Sequence, residues 1–197
     1  MSNLKFVLVG EDKKILGLVK RLLTSHNNIF VGYTTKPYEL LRLLRSCCPE
    51  LVIIDIGNKL GEFKSILRII DEDLLSACIL IIERKNDDIM EFITSSRIIT
   101  FTSKLIYEET FIQLIDISML NYKRILDYEK RLNELSRRLE ERRIIEKAKW
   151  LLVKNYNLTE EQAYEFIQKR SREKRISMGE MAKNILSNYE LNGEDNR

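Results

Sequence analysis

Continuous apolar runs alternate with amphipathic stretches along the first 120 residues of the chain. The first run is Leu4–Val9, and others follow near residues 29–33, 51–54, 78–82 and 98–101. Runs without polar alternation are typical of strands covered on both faces, as in a parallel sheet with crossover helices. Apolar residues spaced three and four apart between the runs predict those helices. Residues 1–120 are therefore predicted to form a doubly wound, five-stranded parallel α/β domain.

A single helical pattern then continues for some fifty residues after Lys104, up to the stop signal at Asn155–Asn157. Residues 121–139 of this pattern are interpreted as a connecting helix. Its apolar residues follow the alternating three-and-four spacing of an a/d coiled-coil seam, namely Ile125, Tyr128, Leu132, Leu135 and Leu139. The seam favours a parallel homodimer, although a single helix packed on its own domain has a similar pattern.

Residues 140–191 are predicted to form a three-helix bundle, followed by a tail at 192–197. The second helix begins at the capping-box sequence Thr159–Gln162, and the third at Ser177–Glu180. The expected apolar face of the second helix consists of Ala163, Tyr164, Phe166 and Ile167. About fifty residues bury only a small core, so we expect support from the long helix or from a partner chain.

The charge is distributed unevenly along the chain. Residues 1–120 contain 15 Lys and Arg against 16 Asp and Glu, whereas residues 121–197 contain 18 against 14. The basic excess includes Lys149 and a run at the end of the second short helix, with Lys169, Arg170, Arg172, Lys174 and Arg175. This excess permits polyanion binding, while an ordinary solvated face is the alternative.

Several classes of protein are disfavoured by composition. No apolar run approaches the roughly 18 residues that cross a membrane, and Met1–Lys5 has no signal-peptide layout. We therefore expect a cytoplasmic protein without a membrane partner. The three cysteines and the single histidine lack a zinc-site spacing. With no nucleophile beside a histidine and no glycine-rich phosphate loop, the chain is not expected to be an enzyme.

Acidic residues follow the predicted strands at the edge where ligands bind in such sheets. Glu11 and Asp12 follow the first strand, Asp55 closes the third, and Lys104 follows the fifth. Converging carboxylates repel each other unless a cation lies between them, and oxygen ligands favour Mg²⁺. A lysine at the same edge is suited to hold a phosphoryl group.

These residues, in this order, resemble the receiver domain of two-component response regulators. The resemblance implies that a cognate histidine kinase phosphorylates Asp55, that Glu11, Asp12 and Asp55 bind Mg²⁺, and that Lys104 binds the phosphoryl group. The sequence departs from the family where Ile82-Glu83 replaces the usual Thr or Ser. A receiver fold kept only for dimerisation or docking is the alternative.

The last fifty residues resemble the ANTAR domain, an RNA-binding antitermination module. The matching positions are Arg143–Ile145, Ala148-Lys149, Leu152, Glu161–Tyr164, the basic run, and Met181-Ala182. The resemblance implies that RNA hairpins are the ligand and that Lys149 and the basic run contact them. Trp150 and Tyr164 are interpreted as core residues in preference to stacking platforms for a loop base.

The whole chain is thus interpreted as a signal-responsive transcription antitermination regulator. One alternative is a DNA-binding response regulator, because Ile176–Ala182 resembles the entry helix of a helix-turn-helix. That motif needs a following recognition helix, for which the six residues after Leu191 are too few. The other alternative is a protein-interaction adaptor with an inactive pseudo-receiver.

Overall fold

The computed structural model describes residues 3–194, with side chains through Tyr189. The chain forms two compact units that divide between Tyr128 and Glu129, inside the segment predicted as the connecting helix. None of the helices in the described residues combines the length and the apolar character that crossing a membrane requires.

The first unit is built on a parallel sheet of five strands in the order β2-β1-β3-β4-β5, as the apolar runs predict. The strands are β1 (Lys5–Val9), β2 (Ile29–Thr34), β3 (Leu51–Gly57), β4 (Ala77–Ile82) and β5 (Ile99–Ser103). Every residue of β4 and all but the last residue of β3 are buried, because helices cover both faces of the sheet centre. The strand order reverses beside β1, which leaves a crevice at the carboxyl ends of β1 and β3.

Four helices follow the first four strands and are local consequences of the sequence. They are α1 (Lys13–Ser25), α2 (Pro37–Cys47), α3 (Leu60–Glu72) and α4 (Asp87–Ser95). Asp12 caps α1 by accepting hydrogen bonds from the backbone N–H groups of Lys14 and Ile15. Pro37 occupies the first turn of α2, where a backbone N–H would have no partner within the helix, so its absence costs no hydrogen bond.

Helix α5 (Glu108–Tyr156) is continuous over 49 residues, close to the predicted extent. It ends where Asn157 adopts a left-handed backbone with φ of 52°. Near its start, Phe111, Ile115 and Met119 are buried in the core of the first unit.

The residues of the predicted seam have two different environments. Ile125 is partly buried against the core of its own unit. The other four are exposed by 55–65%, and they are Tyr128, Leu132, Leu135 and Leu139. The first position of the seam therefore has an intramolecular partner, and the homodimer remains a prediction.

The second unit consists of the carboxyl-terminal half of α5 with α6 (Glu160–Lys174) and α7 (Met178–Glu194). Among the described residues, its hydrophobic core contains Ala148, Leu152, Ala163, Ile167, Met181 and Ala182. The helix α7 extends three residues beyond the predicted end at Leu191, and residues 195–197 of the predicted tail lie outside the described residues.

The capping box predicted for α6 is present. The backbone N–H of Gln162 donates to Oγ1 of Thr159 at 3.2 Å, and the Thr159 N–H donates to Oε1 of Gln162 at 2.9 Å. The expected apolar face of α6 needs correction, however. Tyr164 and Phe166 are exposed, and Ser171 is buried with Ala163 and Ile167, because helical rotation places it on their side.

Candidate functional site

An acidic cleft of about 480 Å³ lies at the carboxyl ends of the central strands in the first unit. The side chain of Lys104 connects two of its carboxylates. Its Nζ lies 3.6 Å from Oδ2 of Asp12 and 3.9 Å from Oδ1 of Asp55. Three of the residues predicted for this site are thus brought together.

Two glycines shape the floor of the cleft. A Cβ on Gly10 would lie 2.8 Å from Cβ and 2.9 Å from the carbonyl oxygen of Asp55, and the φ of Gly10 is 141°. Only glycine allows this approach of β1 to β3. Gly57, with φ of 52°, directs its N–H towards Oδ1 of Asp55 at 3.2 Å.

The two carboxylates beside Lys104 differ in their electrostatics. Burial raises the pKa of Asp55, and the charges of Asp12 and Glu83 add to this effect against the attraction of Lys104 and the Gly57 hydrogen bond. The pKa of Asp12 is lowered, first by the hydrogen bond from the N–H of Ile15 and also by Lys104. The cleft therefore contains one buried carboxyl, Asp55, whose charged form is disfavoured, and one carboxylate, Asp12, whose charged form is favoured.

The third predicted carboxylate, Glu11, has a different partner. Its Oε2 accepts a hydrogen bond from Nζ of Lys59 at 3.0 Å, and both side chains are exposed. Elsewhere in the cleft lining, Asn58 donates through Nδ2 to Oε2 of Glu83 at 3.1 Å. Sequence reasoning missed both contacts, because Lys59 and Asn58 lie in a loop without a pattern of its own.

The donor set suits a hard cation held by few protein ligands. Within the described residues, no group of three or more His, Cys, Asp or Glu side chains is arranged to hold a metal ion. Mg²⁺ commonly keeps several waters and takes only one or two carboxylates from the protein. Asp12 and Asp55 supply such a pair, and Glu11 would join it only after leaving Lys59.

In the second unit, Lys149 is held by two carboxylates of its own chain. Its Nζ donates to Oε1 and Oε2 of Glu146 at 3.0 and 3.1 Å and lies 3.6 Å from Oε2 of Glu160. The side chain is only 13% exposed, and the hydrogen bond to Glu146 raises its pKa. Lys149 therefore links α5 to the first turn of α6, and its charge is already matched within the protein.

The basic run of α6 is divided between two surfaces. Lys169 and Arg172 are exposed on the face away from Ala163 and Ile167, and within the described part of the chain their side chains make no ion pair. Arg170 and Lys174 line a groove between the helices, where Arg170 also pairs with Glu173 at 3.3 Å. Arg175 is exposed and ends α6 in a left-handed conformation with φ of 56°.

The two aromatic residues predicted as core residues lie at the surface instead. Trp150 is 64% exposed and Tyr164 is 43% exposed. Small residues fill the helix contacts of this unit, since Ala148, Ala163 and Ala182 are fully buried. The close packing of the three helices at these alanines leaves no room in the core for rings as large as those of Trp150 and Tyr164. Nζ of Lys154 lies 4.7 Å from the centroid of the Trp150 ring, a cation–π contact at the surface.

Comparisons with known proteins give one match within the second unit and one over most of the chain. The ANTAR domain matches residues 133–186. The transcriptional regulatory protein PdtaR of Mycobacterium tuberculosis is 23% identical over 181 residues, which cover 91% of this chain and 88% of the relative.

Solved structures show the fold of the first unit. The signal receiver domain of a modulated diguanylate cyclase from Desulfovibrio desulfuricans G20 is similar with a TM-score of 0.54 and 13% identity, covering 62% of this chain and 98% of that one. The receiver domain of an HD domain-containing protein from Pseudomonas fluorescens Pf-5 also has a TM-score of 0.54, with 16% identity over 61% of this chain and 98% of that one. Residues 133–186 therefore match the ANTAR domain, and the first unit has the fold of receiver domains.

Proposed function

We propose that the chain is a signal-responsive transcription antitermination regulator that binds RNA hairpins in nascent transcripts. The ANTAR match at residues 133–186 carries this proposal. The exposed Lys169 and Arg172 within that range support it, because their charges have no ion-pair partner among the described side chains. Holding one hairpin of a transcript prevents a competing terminator hairpin from forming.

The proposed contacts follow from the charge of each side chain. Lysine and arginine bind the phosphates of RNA and displace the salt cations that surround them. The affinity therefore falls as the salt concentration rises. We assign the first phosphate contacts to Lys169 and Arg172. Arg170, Lys174 and Arg175 lie beside them on the same run. Lys149 would have to leave Glu146 and Glu160 to touch a phosphate, so we give it a positioning role between α5 and α6.

We further propose that a histidine kinase phosphorylates Asp55 in the acidic cleft. Asp12 and Asp55 would hold Mg²⁺, which when bound neutralises charge on the incoming phosphoryl group. Lys104 lies within 4 Å of both carboxylates, and its ammonium is placed to contact a phosphoryl group on Asp55. Glu83 lies at the rim where the family has a hydroxyl, and its charge opposes a second anion in the cleft.

Phosphorylation of Asp55 would promote RNA binding by the second unit through dimerisation along α5. The exposed side chains of Tyr128, Leu132, Leu135 and Leu139 give an apolar stripe that a second copy of the helix would cover. Two ANTAR domains in one dimer would bind two hairpins of the same transcript with higher effective affinity.

The experiment that tests RNA binding compares two double variants in a gel-shift series with the full chain. Lys169→Gln with Arg172→Gln removes two charges of α6 that make no ion pair among the described residues. Lys64→Gln with Arg68→Gln removes two exposed charges from α3 and serves as the control. The probes are a tandem-hairpin RNA and a duplex DNA of equal charge.

We expect the wild type to prefer the hairpin RNA. The α6 variant should bind it more weakly and should lower the slope of log K against log salt by about 1 to 2. The α3 variant should behave as the wild type. A preference for duplex DNA would favour the helix-turn-helix alternative, and no binding to either probe would favour the adaptor. Equal losses in both variants would show only a nonspecific charge effect and would contradict the assigned surface.

A further inference from the structure

A groove of about 840 Å³ opens between α5, α6 and α7 in the second unit. Its floor is apolar, with Leu151, Leu152 and Met181 almost completely buried. Its walls carry Tyr156, Phe166 and Tyr189. The volume falls in the range of roughly 300–1,000 Å³ that is usual for sites binding small molecules or single groups.

The aromatic walls of the groove are exposed, although its floor is buried. Tyr156 is 64% exposed, Tyr189 43% and Phe166 39%. The hydroxyl of Tyr189 donates to Oδ1 of Asn155 at 3.2 Å, which fixes one wall to the end of α5. Three exposed rings around one cavity form an apolar surface that a ligand with a planar face would cover.

The charge of the groove selects the kind of ligand. Arg170 and Lys174 line it, and no carboxylate is among its described lining residues. The guanidinium of Arg170 lies 5.5 Å from the centroid of the Phe166 ring, so a cation borders the stacking surface directly. Asn188 adds an amide that both donates and accepts hydrogen bonds. Rings, cations and one amide together match a nucleobase with its phosphate.

We propose that this groove binds one unpaired base of an RNA hairpin loop. The base stacks on the ring of Tyr156 or Phe166, its edge faces Asn188, and its phosphate contacts Arg170 and Lys174. This inference rests on the proposed RNA-binding function and adds a base-contacting site to the phosphate-contacting surface of Lys169 and Arg172. The groove supplies contacts to a base, and the outer face supplies contacts to the backbone.

The groove is tested with full-length protein and a hairpin RNA chosen from randomised loops by binding to the wild type. Each loop nucleotide is replaced in turn by an abasic one, which keeps the phosphate and removes the base. Tyr156→Leu with Phe166→Leu removes the rings and retains apolar volume. Trp150→Leu is the matched control, since it removes an exposed ring that does not line the groove.

We expect one abasic substitution to weaken wild-type binding by about tenfold, the order of one base–aromatic stack. The double variant should bind the intact hairpin about tenfold more weakly, and the same abasic substitution should then have no further effect. Trp150→Leu should keep the wild-type response. Should the double variant fail to fold, as judged by circular dichroism, Asn188→Ala at an exposed position is measured in the same way.

The outcomes separate this inference from the proposed function. If the wild type binds no hairpin, both fail. If it binds hairpins and the double variant or Asn188→Ala keeps the wild-type affinity, only the groove assignment fails. A loss through Trp150→Leu alone would move the stacking site to that ring. A change in oligomeric state of the double variant without RNA would show that the groove is an interface between copies of the chain.

Discussion

At the scale of single residues, Asp12 and Asp55 share Lys104 but have pKa shifts of opposite direction. Asp55 is buried, and its pKa is raised because desolvation opposes the charged form. Asp12 accepts hydrogen bonds from two backbone N–H groups at the start of α1, and these bonds lower its pKa. The difference arises from the position of each carboxyl relative to the sheet, since both lie near the same cation.

Asp55→Asn should therefore stabilise the fold near neutral pH. A raised folded-state pKa means that the carboxyl favours folding fully below its unfolded pKa and loses this contribution as pH rises through the folded pKa. A neutral amide at this position does not ionise, so the variant avoids the loss of stability that ionisation of the buried carboxyl causes. The midpoint of thermal unfolding should therefore rise by a few degrees at pH 7. The difference should shrink as the pH approaches about 4.

Asp12→Asn is the matched control for this prediction. Its lowered pKa contributes stability that is present above the unfolded pKa and lost as pH falls through the folded pKa. Asn retains the ability to cap α1, so the variant should show no increase in midpoint at pH 7. A lower midpoint for Asp55→Asn than for the wild type would show that the attraction of Lys104 outweighs burial.

At the scale of elements, Lys149 connects two helices of the ANTAR domain. It joins Glu146 on α5 to Glu160 in the first turn of α6, and its side chain is 13% exposed. The capping box of Thr159 and Gln162 fixes the same turn from the other side. The start of α6 is thereby anchored on α5, while its basic end is left exposed.

Lys149→Met should lower the midpoint of thermal unfolding and leave the salt slope of RNA binding unchanged. Methionine keeps the apolar stem but makes no ion pair, so the anchoring of α6 weakens while no phosphate contact is lost. Lys147→Met, at an exposed lysine two positions earlier, should leave the midpoint as in the wild type. A salt slope lower by about 1 in Lys149→Met would instead show a direct phosphate contact.

The raised pKa of Lys149 gives this anchoring a pH dependence. A raised lysine pKa favours folding below the unfolded value and loses its contribution as pH rises through the folded value. The difference in midpoint between wild type and Lys149→Met should therefore diminish above pH 10.5, the ordinary pKa of lysine.

At the scale of the whole molecule, the proposed control of the second unit requires that two chains pair. Acetyl phosphate, a small phosphoryl donor, should raise the dimer fraction in light scattering if Asp55 accepts the phosphoryl group. Leu135→Lys should prevent this increase, because it places a charge within the exposed seam. Leu18→Lys changes an exposed leucine of α1 and should dimerise as the wild type.

A second comparison isolates the phosphoryl switch from the seam. Asp55→Asn should remain at the dimer fraction of the untreated wild type when the donor is added. An equal response of Asp55→Asn and wild type would contradict regulation through Asp55. Dimerisation of Leu135→Lys with the donor would contradict the seam and leave the phosphoryl switch intact.

The sequence by itself determined the elements of this protein. Buried strands, the long α5 and the capping box of α6 depend on the order of neighbouring side chains, and this order predicted them. The edge of the sheet that gathers Asp12, Asp55 and Lys104 was also predictable, because the carboxyl ends of parallel strands meet there.

Only the tertiary structure decided how the functional side chains are partnered. The pairing of Glu11 with Lys59 joins positions 48 residues apart, and the raised pKa of Asp55 depends on its burial at the carboxyl edge of the sheet. The groove of Phe166 and Arg170 arises where three helices meet around a core that includes three alanines. Local patterns place a side chain on an element, but charge pairing and exposure depend on which distant elements pack beside it.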